Sequence, residues 1–100
     1  MLSIGTFIHH ELHRSGWQPD SFHVEVDEIS PAGEGIVRAE FALGGELCIR
    51  FWRAPDERVV LSVSMTPGSH SVRAVARREL ADGLAGIVQR WLGELRATTV

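Results

Sequence analysis

Three histidines, His9, His10 and His13, crowd one short stretch near the start of the chain. His9 and His13 stand four residues apart, a spacing that lets two imidazoles leave one face of a helix and share a Zn2+ ion. Glu11 falls on another side of such a helix, with the apolar residues, so the base-and-ligand geometry of an HExxH site is missing. The favoured reading is a solvated histidine face, and a metal held by His9 and His13 is the weaker alternative.

Cys48 is the only cysteine. A reactive thiol needs a base or a cationic setting to form thiolate. The alternation around Cys48 puts Arg50 on its side of a strand but brings no histidine, so no catalytic role is assigned. Glu25, Asp27 and Glu28 supply carboxylates for acid–base work, yet they lie along one strand with no evident pocket. Gly33-Glu34-Gly35 is too short for a phosphate loop and reads as a turn. Nothing here amounts to a catalytic set. The expectation is a non-enzymatic protein with no cofactor.

Charge is more informative. All ten basic residues are Arg, and the formal net charge is −3. An acidic chain lacks the basic footprint of a nucleic-acid binder. Arg also suits bidentate and stacked contacts better than Lys does. A lone cysteine precludes an internal disulfide and suits a reducing compartment. The first residues, MLSIGTFIHHELHR, lack the basic start and continuous apolar run of a signal peptide. No apolar stretch approaches the roughly 18 residues of a membrane span. The expected location is cytoplasmic, with no membrane contact.

These side chains need elements to position them. A chain of 100 residues with 44% apolar content reads as a single α+β domain over 1–100. Ile4, Phe7, Ile8, Glu11 and Leu12 follow helical spacing, with Ser3 or Thr6 as a starting cap and Gly16 as the stop. Four alternating segments follow, over 22–29, 36–43, 46–53 and 58–65. Each carries an apolar face.

A one-residue slip would send one strand's apolar set to the wrong side, so register can be tested from sequence. Loops at 44–46 and 54–56 keep the sets aligned, pairing Phe41 with Ile49 and Ile49 with Leu61. A long helix is expected from about Val72 to Arg96, with Ser71 as cap. Its stripe is Ala76, Leu80, Leu84, Ile87, Val88, Trp91 and Leu95. The predicted architecture is a two-layer α-β-β-β-β-α arrangement: an antiparallel four-stranded meander with both helices on one face.

That layout leaves three surfaces for function. On the outer sheet face the expected rows are Arg38–Trp52–Arg58, Glu40–Arg50–Val60 and Ala42–Cys48–Ser62. Trp between two Arg offers stacking and resembles an interface hot spot. The fourth strand, 58–65, is expected at an edge and has no charge after Arg58. Such an edge invites a second copy or another chain. Arg73 and Arg77 are anomalous, since they share the apolar stripe of the second helix and, with Arg78, oppose its dipole. They suit an anion or an acidic partner.

The leading expectation is a protein-binding module working through surface or edge-strand contacts. The classes considered are an adaptor, a secretion-type chaperone, an immunity protein or a phage or mobile-element inhibitor, and a homodimer through 58–65 is included. Its contact residues are Trp52, Arg38, Arg58, Val60, Ser62, Arg73 and Arg77. The alternative is a small-ligand binder or small enzyme with a pocket between helices and sheet, for which Glu11 and Glu79 are the polar candidates. Nucleic-acid binding through Arg73, Arg77 and Arg78 ranks last.

Overall fold

The computed structural model describes residues 4–25, 34–41, 44–66 and 68–98. In chain order it has helix α1 (Ile4–Arg14), then strands β1 (Ser21–Glu25), β2 (Gly35–Glu40), β3 (Glu46–Arg53), β4 (Val59–Thr66) and β5 (His70–Val75). A 3-10 turn (Arg77–Glu79) leads into helix α2 (Leu80–Thr98). The strands form one antiparallel sheet in sequential order, β1-β2-β3-β4-β5. The α+β class and the meander hold, with five strands where four are predicted. Ser3, Asp27, Glu28, Gly33, Ala42 and Leu43 lie outside the described residues.

Helix α1 buries Ile4, Ile8 and Leu12, one residue per turn along one face. Gly16 ends it as expected, at φ +80°. The Trp17 N–H donates to Leu12 O and the Gly16 N–H to His13 O, both at 3.0 Å. These are the two bonds that close a helix through a left-handed residue, and they satisfy carbonyls that the last turn would otherwise leave unpaired.

Every strand from β1 to β4 alternates as read. Val37, Ala39, Leu47, Ile49, Phe51, Val59, Leu61, Val63 and Met65 form one buried face. Leu80, Leu84, Ile87, Val88, Trp91, Leu92 and Leu95 of α2 and the α1 stripe join it in one core, so both helices lie on that face. The register of β1 sets Val24 against Val37 and Phe22 against Ala39.

Two predicted registers are corrected. β2 and β3 pair Ala39 with Leu47 and Val37 with Ile49, four residues from the expected match of Phe41 with Ile49. The Phe41 N–H donates to Gly45 O at 2.8 Å, so the chain turns between these two residues and not at 44–46. Gly44 sits at φ +107° at the last position of a three-residue connection, where a left-handed residue is needed. Gly45 has a steric duty, because a Cβ there would come within 2.5 Å of Leu95 Cδ2. β3 and β4 pair Phe51 with Leu61 and Ile49 with Val63. Their connection is 55–57. Pro55 supplies the backbone angle favoured at the first turn position, and Glu57 takes the left-handed one at φ 70°. In both hairpins the slip preserves parity, so the apolar faces still coincide.

The larger correction is at residues 70–75. They form β5, not the first turns of a helix, and α2 starts at Leu80. Val60 pairs with Ala74 and Leu61 with Arg73, so β4 is an interior strand and β5 is the edge. Val72 and Val75 favour extended backbone, and the open ladder of β4 supplies the hydrogen bonds. The anomaly of Arg73 and Arg77 in a helix start disappears with the helix.

Candidate functional site

The outer face of the sheet does not form the rows expected of it. Trp52 lies opposite Val60, and Val60 opposite Ala74. Arg38 lies opposite Cys48 and His23. Arg58 sits at the end of the β3–β4 connection, where its Nη2 meets Asp56 Oδ2 at 2.7 Å. That bond holds the exposed Asp56 carboxyl below its ordinary range. The Arg–Trp–Arg stack is therefore absent, because the loop shift moves each strand past its neighbour. Arg50 pairs with Glu34 at 2.6 Å, not with Glu40, and Glu40 faces Glu46. Of the expected group, Trp52, Val60 and Ser62 stay together.

Ser62 Oγ lies 3.1 Å from His70 Nε2, a nucleophile-to-base distance. The pair stands on the face opposite both helices, and His70 is exposed. Nucleophilic catalysis also needs an orienting group on the base and a water-poor site for the developing charge, which an open sheet face does not supply. The contact is best read as a clasp joining β4 to β5.

His9, His10 and His13 are all exposed, and His9 meets the Phe22 ring edge-on at 5.2 Å. No group of three or more His, Cys, Asp or Glu among the described residues could hold a metal. Glu11 is 4% exposed. It accepts a hydrogen bond from Arg14 Nη2 at 2.6 Å and from Gln89 Nε2 at 3.1 Å. The Arg14 bond lowers the carboxyl's pKa against the opposing effect of burial. Glu11 thus ties α1 to α2. Glu79 is exposed in the 3-10 turn.

The most distinctive surface lies along β5. Five of its six residues are exposed and Val75 is half-buried. Val72, on the outer face, is 57% exposed. Beneath β5 a groove runs between the sheet and α2. One part, about 400 Å³, is lined by Val63, Met65, Ser71, Arg73, Ile87 and Arg90, with Gly86 in its wall. The other, about 550 Å³, is bordered by Val75, Glu79, Asp82 and Gly83, with Arg73 shared between the two. Arg73 points to the helix side, opposite Leu61, and its Nη2 donates to Gly83 O at 3.3 Å.

Arg73 is thus at a site, with Ser71 and Arg90 as neighbours. Arg77 does not line either part of the groove, and with Arg78 it is exposed in the 3-10 turn. Sequence reasoning missed Ser71, Gly86 and Arg90. Their signal is a combined one: Ser71, Arg73 and Val75 alternate on a strand, while Gly83, Gly86 and Arg90 share a helix face at i, i+3 and i+7.

A Cβ at Gly86 would meet no atom within 4 Å, so internal packing does not require glycine there. Gly in a helix interior costs about 1 kcal/mol relative to Ala. The groove is open where a side chain would be expected. No helix among the described residues is long and apolar enough to cross a membrane. Comparisons with protein-family models, curated proteins and solved structures returned no match.

Proposed function

We propose that this protein is a protein-binding module that captures an extended segment of a partner along β5. The carrying observation is that β5 ends the sheet with both its faces exposed. An edge strand presents a row of unpaired N–H and C=O groups, and an added strand satisfies them while its alternate side chains sample the flanking surfaces. Here those surfaces are Val72 and Ala74 on one side and the α2 groove on the other. Edge capture moves from 58–65, where the sequence places it, to 70–75.

The test is capture of a stoichiometric partner from cells that make the protein, followed by hydrogen exchange on the purified complex. Slowed amides across 70–75 are expected. A complex that protects the α1 surface and leaves 70–75 unchanged would sink the reading.

The groove also favours a second reading, a small-ligand binder. Its larger apolar walls, Val63, Met65 and Ile87, stand beside Arg73 and Arg90. A carboxylate with an apolar body would suit that lining. Native mass spectrometry of the purified protein separates the readings, since this one requires a bound small mass.

A further inference from the structure

Resting on the edge-capture reading, we infer that the added strand carries an acidic side chain on its helix-facing side, seated beside Ser71 and between Arg73 and Arg90. The distribution of arginines supports this. Arg14, Arg38, Arg50, Arg53 and Arg58 each lie within 4.0 Å of a carboxylate of the same chain. Arg96 lies over the Trp17 ring at 5.9 Å. Among the described residues, Arg73, Arg77, Arg78 and Arg90 have no such ion pair. All four belong to β5, the turn after it and the adjoining stretch of α2. An acidic chain has thus satisfied its arginines elsewhere and left these in one region.

Arg73 has only the neutral Gly83 carbonyl as partner. Arg90 and Ser71 line the same part of the groove, and the bare Gly86 backbone leaves room for an incoming side chain. A carboxylate there would accept charge-assisted hydrogen bonds from two guanidinium groups.

The other part of the groove has the opposite sign. Glu79 and Asp82 border it near Val75. Side chains on one face of a strand recur every second residue, about 6.6–6.8 Å apart. The residue of the added strand that falls beside Val75, two positions from the acidic one, is therefore neutral or basic. A second copy of this chain is a poor occupant. Pairing β5 with its twin would bring two sets of Arg73 and Arg90 to one seam, where like charges repel.

The experiment uses fluorescein-labelled seven-residue peptides of alternating Val and Thr, with Glu, Gln or Arg at the centre. Binding is read by anisotropy, and hydrogen exchange maps the site. The Glu peptide is expected to bind at least about fivefold tighter than the Gln peptide, a modest difference for one charge contact at a rim. The double variant Arg73→Glu/Arg90→Glu should invert the order in favour of the Arg peptide. Arg73→Gln/Arg90→Gln should abolish the preference without inverting it. Circular dichroism and a melting curve confirm that each variant folds.

Equal affinity for Glu and Gln peptides, with β5 still protected, would overturn the acidic specificity and leave edge capture standing. Absence of β5 protection with every peptide would overturn both. Displacement of the Glu peptide by a short single-stranded oligonucleotide, with loss of binding on raising salt, would assign the arginines to phosphate instead.

Discussion

The two edges of the sheet are held in place by different means. β1 keeps its inner residues under a helix: Phe22 and Val24 are half-buried against the core, and His9 of α1 meets Phe22 edge-on. His23 and Glu25 place polar groups on its other face. β5 has no buried residue, and Ser71, Arg73 and Val75 look across an open groove toward α2. One edge is closed by burial. The other is held by its ladder to β4, by the Ser62–His70 contact and by Arg73 on Gly83 O. A strand held mostly by backbone pairing opens at lower free energy than one fixed by packing.

The sharpest way to break this comparison is to empty the inner face of each edge. Phe22→Ala should cost about 2 kcal/mol, roughly half the full cost for a buried Phe, because Phe22 is only half-buried. Val75→Ala should cost about 1 kcal/mol or less. Urea denaturation measures both. Hydrogen exchange on the unsubstituted protein should show 70–75 exchanging faster than 21–25. Equal losses, or a β5 more protected than β1, would show that the two edges are alike.

β1 was legible in sequence because its apolar residues point at a core that periodicity also reveals. β5 was not, because 70–75 fits two patterns. Val72, Ala76 and Leu80 recur at helical spacing, while Ser71, Arg73 and Val75 alternate as a strand. The decision is tertiary: an unfilled edge on β4 offers pairing that a local reading cannot see. The conflict did leave a trace, since Arg73 and Arg77 made poor residues for a helix start. Hairpin parity was readable for a related reason. A slip of two or four residues leaves side chains on the same face, so apolar pattern alone does not distinguish it. Gly44 and Glu57, the left-handed residues, set the loop positions.

Acid should act through the β1 side, where α1 is tied to α2 by Glu11. The Glu11 pKa is lowered by folding, chiefly through Arg14. Its contribution is therefore present above the unfolded carboxylate pKa and is lost as pH falls through the lower folded value. Glu11→Gln should cost about 1.5 kcal/mol at neutral pH, the scale of one charged hydrogen bond, and should flatten the acid limb of stability. Melting temperatures across an acid pH series check this. An unchanged acid limb would mean that Glu11 is not the coupling between the helices.

The β3–β4 hairpin lies between the edges and supplies a control. Glu57 adopts φ 70°, which costs a non-glycine residue about 1 kcal/mol or more. Glu57→Gly should raise stability by up to about 1 kcal/mol, less a small loss from the exposed Arg53–Glu57 contact at 3.7 Å. Because this turn belongs to neither edge, the gain should appear in global unfolding and leave the ranking of β1 and β5 amides unchanged.

Val72→Lys tests the functional side of the comparison with the smallest expected effect on the fold. The substitution gives β5 an outward charge of the kind that guards natural edges. Val72 is 57% exposed and faces away from the core, so stability should change by no more than about 0.5 kcal/mol. Capture of an extended strand should fall markedly, because Val72 is the main apolar side chain that β5 presents on that face. The groove side, with Arg73 and Arg90, is untouched, so a small carboxylate bound there would be retained. Loss of strand capture with the melting curve unchanged would therefore place recognition on the β5 edge itself. Retention of full capture would place it elsewhere and remove the functional difference between the two edges.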